Sequence, residues 1–236
     1  MSADADLAAV SVLAEESRRR MYTFIRRAGR PVTRDEAAEH VGVSRKLAAF
    51  HLDKLVAAGL LDVGPAAPGS VKRVGRRPKA YRPTSVRLHV SIPERRHELL
   101  ASLLLDAVAE DRPGGEDAAA AALRLARRRG RRLGEAQREA WRPGRLGPER
   151  ALTICERMLY EHGFEPVREG PDRIRQRNCP FHPFAERAPE LVCGLNKAFL
   201  SGYLDGMRII TLSAELDPRP GECCVQVCFA GGGQQL

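Results

Sequence analysis

The stretch from Thr33 to Gly59 is punctuated so tightly that it permits one local design. Thr33-Arg-Asp-Glu36 is a capping box, in which the threonine hydroxyl and the glutamate carboxylate each satisfy an orphan amide of a helix start. Gly42 stops that helix after about two turns, since glycine accepts the left-handed conformation of a helix end. Ser44 caps another helix, which runs from Arg45 to Gly59. Too few residues lie between stop and start for the helices to separate. The segment must fold as two short helices crossing at a sharp turn.

The flanks extend this design. Residues 7–28 read as one helix, with Leu7, Val10, Leu13, Met21, Phe24 and Ile25 as an apolar stripe. Leu60 to Val63 and Lys79 to Arg82 read as strands around a Gly/Pro-rich stretch that carries Lys72, Arg73, Arg76 and Arg77. Helix, turn, helix, strand, basic hairpin tip and strand together make a winged helix-turn-helix. In that unit the second helix enters the DNA major groove through its N-terminal residues. Ala48, Leu52 and Leu55 share the inward face. Ser44, Arg45, Lys46, Ala49, Phe50 and Lys54 are therefore candidate DNA contacts. Arg45 and Lys46 can donate to guanine edges or phosphates, and Ala49 or Phe50 can touch a thymine methyl. His51 reads either as a base or phosphate contact or as a structural histidine. Arg73, Arg76, Arg77 and Lys79 are the wing candidates, placing an arginine in a narrow minor groove or meeting phosphates alone.

Charge supports a nucleic-acid partner. Residues 1–90 hold 17 Lys/Arg against 9 Asp/Glu, and residues 91–236 hold 22 against 21. Nearly all of the net +9 thus sits in the first 90 residues, the footprint expected of a domain bound to a double-stranded DNA operator. No apolar run approaches the roughly 18 residues that span a bilayer. Met1 to Glu16 begins with Asp4 and Asp6 and is no secretory signal. The expectation is a cytoplasmic protein with no membrane partner and no small-molecule substrate.

Residues 91–140 read as helical: a leucine-rich segment from Pro93 with Leu99, Leu100, Leu103, Leu104 and Val108 in register, then an Ala/Arg-rich helix. The leucine segment is a candidate dimer element. Residues 147–231 read as helix, two strands, helix and two strands. The predicted fold is mainly α with α+β: a winged helix-turn-helix over 7–90, central helices over 91–140, and a small α+β cysteine domain over 147–231.

Five of the six cysteines lie in the last 58 residues. Cys179 follows a strand, Cys193 opens a helix, and Cys223, Cys224 and Cys228 lie in the final strand. No Cys-x-x-Cys pair exists, so ligation requires tertiary convergence rather than a zinc knuckle. Several thiolates favour iron–sulfur or zinc over hard cations. Strand alternation places Cys223 and Cys224 on opposite faces, which makes one of them a ligand and the other a small apolar filler. His182 is a candidate nitrogen ligand. Cys155, between Ile154 and Met158 in register, reads as core.

Two resemblances carry further expectations. Val43 to Leu61 and Gly75-Arg-Arg-Pro-Lys-Ala-Tyr-Arg-Pro83 resemble the ArsR-like winged-helix transcriptional regulators. Asn178-Cys-Pro-Phe-His182, Glu190 to Asn196, Gly202 to Gly206 and Leu216 to Val225 resemble the C-terminal domain of the SufR-type repressors. That resemblance implies a homodimer holding an iron–sulfur cluster, of the 4Fe-4S kind, and repressing its operator when loaded. Cys179, Cys193 and one of Cys223 and Cys224 match the ligand positions, with His182, the other member of the pair or Cys228 open as the fourth. Zinc or simple thiol redox chemistry is the alternative. A thiol enzyme built on Cys179 and His182 is a remote one, because no third orienting group accompanies them; the expectation is no enzyme.

Overall fold

The computed structural model describes residues 3–65, 79–110 and 115–231. They form two compact units, residues 1–90 and 91–236.

The first unit begins with α1 (Ala3–Val12) and α2 (Glu16–Arg27). The single helix expected over 7–28 is thus two. Glu15 is the reason: its carboxylate accepts hydrogen bonds from the amides of Ser17 and Arg18 and so starts a fresh helix. Leu7 and Val10, expected to be apolar contacts, are exposed, whereas Met21 and Ile25 on α2 are fully buried. β1 (Val32–Thr33), α3 (Arg34–Val41), α4 (Arg45–Ala57), β2 (Leu61–Pro65) and β3 (Lys79–Pro83) follow. The capping box forms as read: the Thr33 hydroxyl accepts from the Glu36 amide and the Glu36 carboxylate accepts from the Thr33 amide. Gly42 adopts φ 79° and ends α3. The strands make an antiparallel sheet in the order β1-β3-β2, with Val63 opposite Tyr81. Ala48, Leu52 and Leu55 of α4 pack with Met21, Ile25, Ala37 and Tyr81 in one core.

The second unit holds α5 (His97–Ala109), α6 (Ala118–Trp141), α7 (Pro148–Glu161), β4 (Pro166–Arg168), β5 (Arg173–Gln176), the single turn α8 (Phe184–Arg187), α9 (Pro189–Met207), β6 (Leu212–Leu216) and β7 (Val225–Phe229). Its antiparallel sheet runs β4-β5-β7-β6. One core joins Leu100 and Leu103 of α5, Leu125 of α6, Met158 of α7, Tyr203 of α9 and Val227 of β7. The stretches 91–140 and 147–231 therefore complete each other.

The axis of this unit is the contact between α6 and α9. Gly130 and Gly134 on one helix face Gly202 and Gly206 on the other. A Cβ on Gly130 would overlap the Phe199 carbonyl, and one on Gly202 the Arg127 carbonyl. Backbone meets backbone, a distance only glycine permits. The arginine run along α6 lies mostly outside this seam: Arg127 pairs with Asp205 and Arg131 with Glu135. It is a solvated helix face.

No helix among the described residues is long and apolar enough to cross a membrane.

Candidate functional site

In the first unit, the N-terminal end of α4 presents the candidate DNA surface. Ser44 caps it by accepting from the Leu47 amide at 3.2 Å. Arg45 and Lys46 are exposed, and Arg45 Nε lies 2.6 Å from Asp35 Oδ1 on α3. Ala49 is half-buried and Phe50 is 53% exposed, with Lys54 Nζ 5.7 Å from its ring centroid. The ring stands on the face opposite Ala48, Leu52 and Leu55, open to a partner. Leu47, 42% exposed on the same side, was not anticipated. Its signal was there, because positions 47, 50 and 54 share a helical face.

His51 does not belong to this surface. It is 6% exposed and its Nδ1 lies 3.4 Å from Glu15 Oε2. The ring is buried between α4 and the start of α2, as a structural histidine would be. Lys79 is exposed at the start of β3, opposite Pro65. Arg73, Arg76 and Arg77 lie outside the described residues.

In the second unit four thiols gather from three stretches of chain. Cys193, in the first turns of α9, has its Sγ 2.8 Å from Cys224 Sγ. Cys179 and Cys223 are linked by a thiol hydrogen bond. The pairs lie near enough to sense each other: negative charge at Cys179 opposes ionisation of Cys193, and charge at Cys224 opposes that of Cys223. The strand alternation expected at Cys223 and Cys224 is absent. Strand β7 begins only at Val225, so both residues lie in the preceding loop, where strand alternation does not apply. Each finds a different thiol.

The group is held by polar anchors that the sequence reading missed. Asn178 donates to the carbonyls of Glu94 and Gly163, and Arg95 donates to Asn178 Oδ1 and to the Cys179 carbonyl. Asn196, buried on α9, donates to Cys223 Sγ at 3.3 Å. An asparagine inside the apolar stripe of Val192, Phe199 and Leu200 was the available clue, since buried amides require partners. Arg175 is 3% exposed and binds Asp217, Glu222 and Gln226. It thereby pins the 217–222 loop that delivers Cys223 and Cys224.

The thiols differ in character. The Cys223 thiol donates to Cys179 and, against the opposing effect of burial, holds Cys179 down at about 7; the amides of Phe181 and His182 and the charge of Arg95 act in the same direction. Cys223, as the donor and as a buried group, is pushed well up. Burial pushes Cys193 up to about 12. Cys155, fully buried in α7, is likewise pushed up to about 12 by burial and is core as read. Cys228 sits elsewhere, with Ser213 Oγ 3.6 Å away. His182 is 43% exposed on its side chain and its ring lies 3.8 Å from Glu186. Its amide donates to the Cys179 carbonyl at 3.1 Å. Among the described residues, no three His, Cys, Asp or Glu side chains converge to hold a single metal ion. The donors form two thiol pairs rather than one four-cornered cage.

Residues 13–64 match the family model described as a helix-turn-helix domain. The matched segment spans α2, the capping box, α3, the turn at Gly42 and α4. No curated protein matches the chain. The first unit is a helix-turn-helix DNA-binding domain, and the protein is a DNA-binding regulator.

Proposed function

We propose that this protein is a transcriptional repressor of the SufR type, acting as a homodimer whose hold on its operator is governed by an iron–sulfur cluster. The carrying observation is the gathering of Cys179, Cys193, Cys223 and Cys224 in a protein whose other unit is a helix-turn-helix domain. The donor set fits the group. Four cysteine thiolates are the usual ligands of such a cluster. A zinc site would need all four to surround one point. When bound, a 4Fe-4S cluster supplies redox chemistry and sensitivity to oxidants.

The protein's own residues do the rest. Arg175 and Asn196 keep the cysteine loop and α9 in register. Arg45, Lys46, Phe50 and Lys54 meet the major groove, through phosphate and base-edge hydrogen bonds and through apolar contact. A two-fold dimer would present two such helices to successive half-sites.

The test is anaerobic purification followed by iron, sulfide and zinc analysis. Wild type is expected to carry iron and acid-labile sulfide with visible absorbance. Cys179→Ser, Cys193→Ser, Cys223→Ser and Cys224→Ser should each lose most of it, and Cys228→Ser should not. Stoichiometric zinc without sulfide overturns the cluster. The short Cys193–Cys224 distance favours a second reading, direct thiol redox control, in which mild oxidation joins that pair. A metal-free protein whose DNA binding changes with that disulfide would select it.

A further inference from the structure

The second unit contains a groove that neither the DNA surface nor the thiols use. It lies where α6 ends, α7 begins and α9 turns into β6. Its volume is about 600 Å³, and Arg138, Arg145, Arg208, Thr211, Gly147 and Pro148 are among its lining residues. That size matches small-molecule sites. No carboxylate lines it.

The charge inside the groove is unspent. Among the described residues Arg145 and Arg208 form no ion pair and no side-chain hydrogen bond. Arg138 is held in place through the Met207 carbonyl at 2.9 Å and the Gly144 carbonyl at 3.5 Å. Thr211 Oγ1 is buried without a hydrogen-bond partner. Helix α7 opens on the same space. Its N-cap, Gly147, supplies no side-chain cap; Pro148 has no amide proton and Glu149 stands in the first turn, so what the helix start adds is the amides that follow Pro148.

Backbone conformation adds an independent observation. Among the described residues, the non-glycine residues with positive φ are Arg208 at 57° and Arg142 at 43°. Each ends a helix in the position that glycine ordinarily takes. A side chain there costs about 1 kcal/mol. Arg208 lines the groove, and Arg142 lines an adjoining cavity of about 560 Å³ that shares Arg138, Gly144 and Arg208 and that Glu135, Glu139 and Asp205 also line. The strain is tolerated where it brings guanidinium groups to one place.

We propose that this groove binds the phosphate group of a small molecule. Two unpaired guanidinium charges match the roughly two negative charges of a phosphate monoester near neutral pH. A DNA backbone carries single charges along an extended line, whereas a recess with two neighbouring guanidinium groups suits a compact terminal phosphate. The source is either inorganic phosphate or a phosphorylated metabolite. The site is independent of any metal at the cysteines.

Titration calorimetry on the full chain, at constant chloride, tests this with inorganic phosphate and with glucose 6-phosphate as probes. At least one probe is expected to bind saturably. Equal affinity means that the groove reads the phosphate alone, and tighter sugar phosphate means that it also reads the carrier. Arg145→Gln and Arg208→Gly should each weaken binding at least tenfold. Arg208→Gly should also preserve or raise the ligand-free melting temperature, because glycine suits that φ; a merely structural arginine would not show that combination. If it fails to fold, Arg145→Gln in the exposed 142–147 segment carries the test. No saturable binding, or variants that bind like wild type, would sink the proposal. So would variants that lose only duplex DNA affinity.

Discussion

Single residues decide how the DNA-binding unit is pinned. Glu36 receives hydrogen bonds from Arg30, the Thr33 amide and the Thr33 hydroxyl. The bond from Arg30, chief among these, holds the Glu36 carboxyl down at about 2. A depressed carboxylate stabilises the fold above its unfolded value near 4.3, and that contribution fades as pH falls through the folded value. The melting-temperature gap between wild type and Glu36→Gln should therefore be full near neutral pH and close by about pH 2. Thr33→Ala, which removes the cap, should cost about 1 kcal/mol in denaturant unfolding. These contacts were legible in the sequence because a capping box is local, spanning four residues. The burial of His51 against Glu15 was not, because those residues are brought together only by the crossing of α2 and α4.

Whole elements are placed by features with no local signature. The glycines of α6 and α9 read as weak points in two helices, since glycine lowers helix propensity. In the fold they form the seam. Gly130→Ala or Gly202→Ala should destabilise the second unit by several kcal/mol, because the new methyl meets a backbone carbonyl that cannot retreat. Gly64→Ala, where an added methyl meets nothing within 4 Å, should stay within about 0.5 kcal/mol. Denaturant unfolding of both variants checks the pair. Arg175 acts on the same scale. Its loss strips Glu222 of its ion-pair partner and leaves Asp217 only the more exposed Arg219, so Arg175→Ala should cost on the order of 3 kcal/mol. It should also speed the reaction of Cys223 and Cys224 with a thiol reagent, by freeing their loop.

Over the whole molecule the uneven charge sets how DNA is found and held. With its excess in residues 1–90, the protein should bind duplex DNA with an affinity that falls steeply as salt rises. Arg45→Ala with Lys46→Ala should weaken binding and lower the log–log salt slope by about 1 to 2, read by fluorescence anisotropy across a salt series. An unchanged slope would remove α4 from the interface.

The sequence by itself determined the local grammar of this protein: caps, stops, helix faces, the two-helix turn and the basic half. Each of these is set within a few residues by hydrogen-bonding capacity, backbone freedom or periodicity. Tertiary structure alone decided which distant groups meet. It put Cys223 and Cys224 in a loop rather than a strand, so both joined the thiol group. It buried Arg175 among acids and matched glycine to glycine along α6 and α9. Such meetings depend on how helices and strands pack over one core, and packing is a property of the chain as a whole.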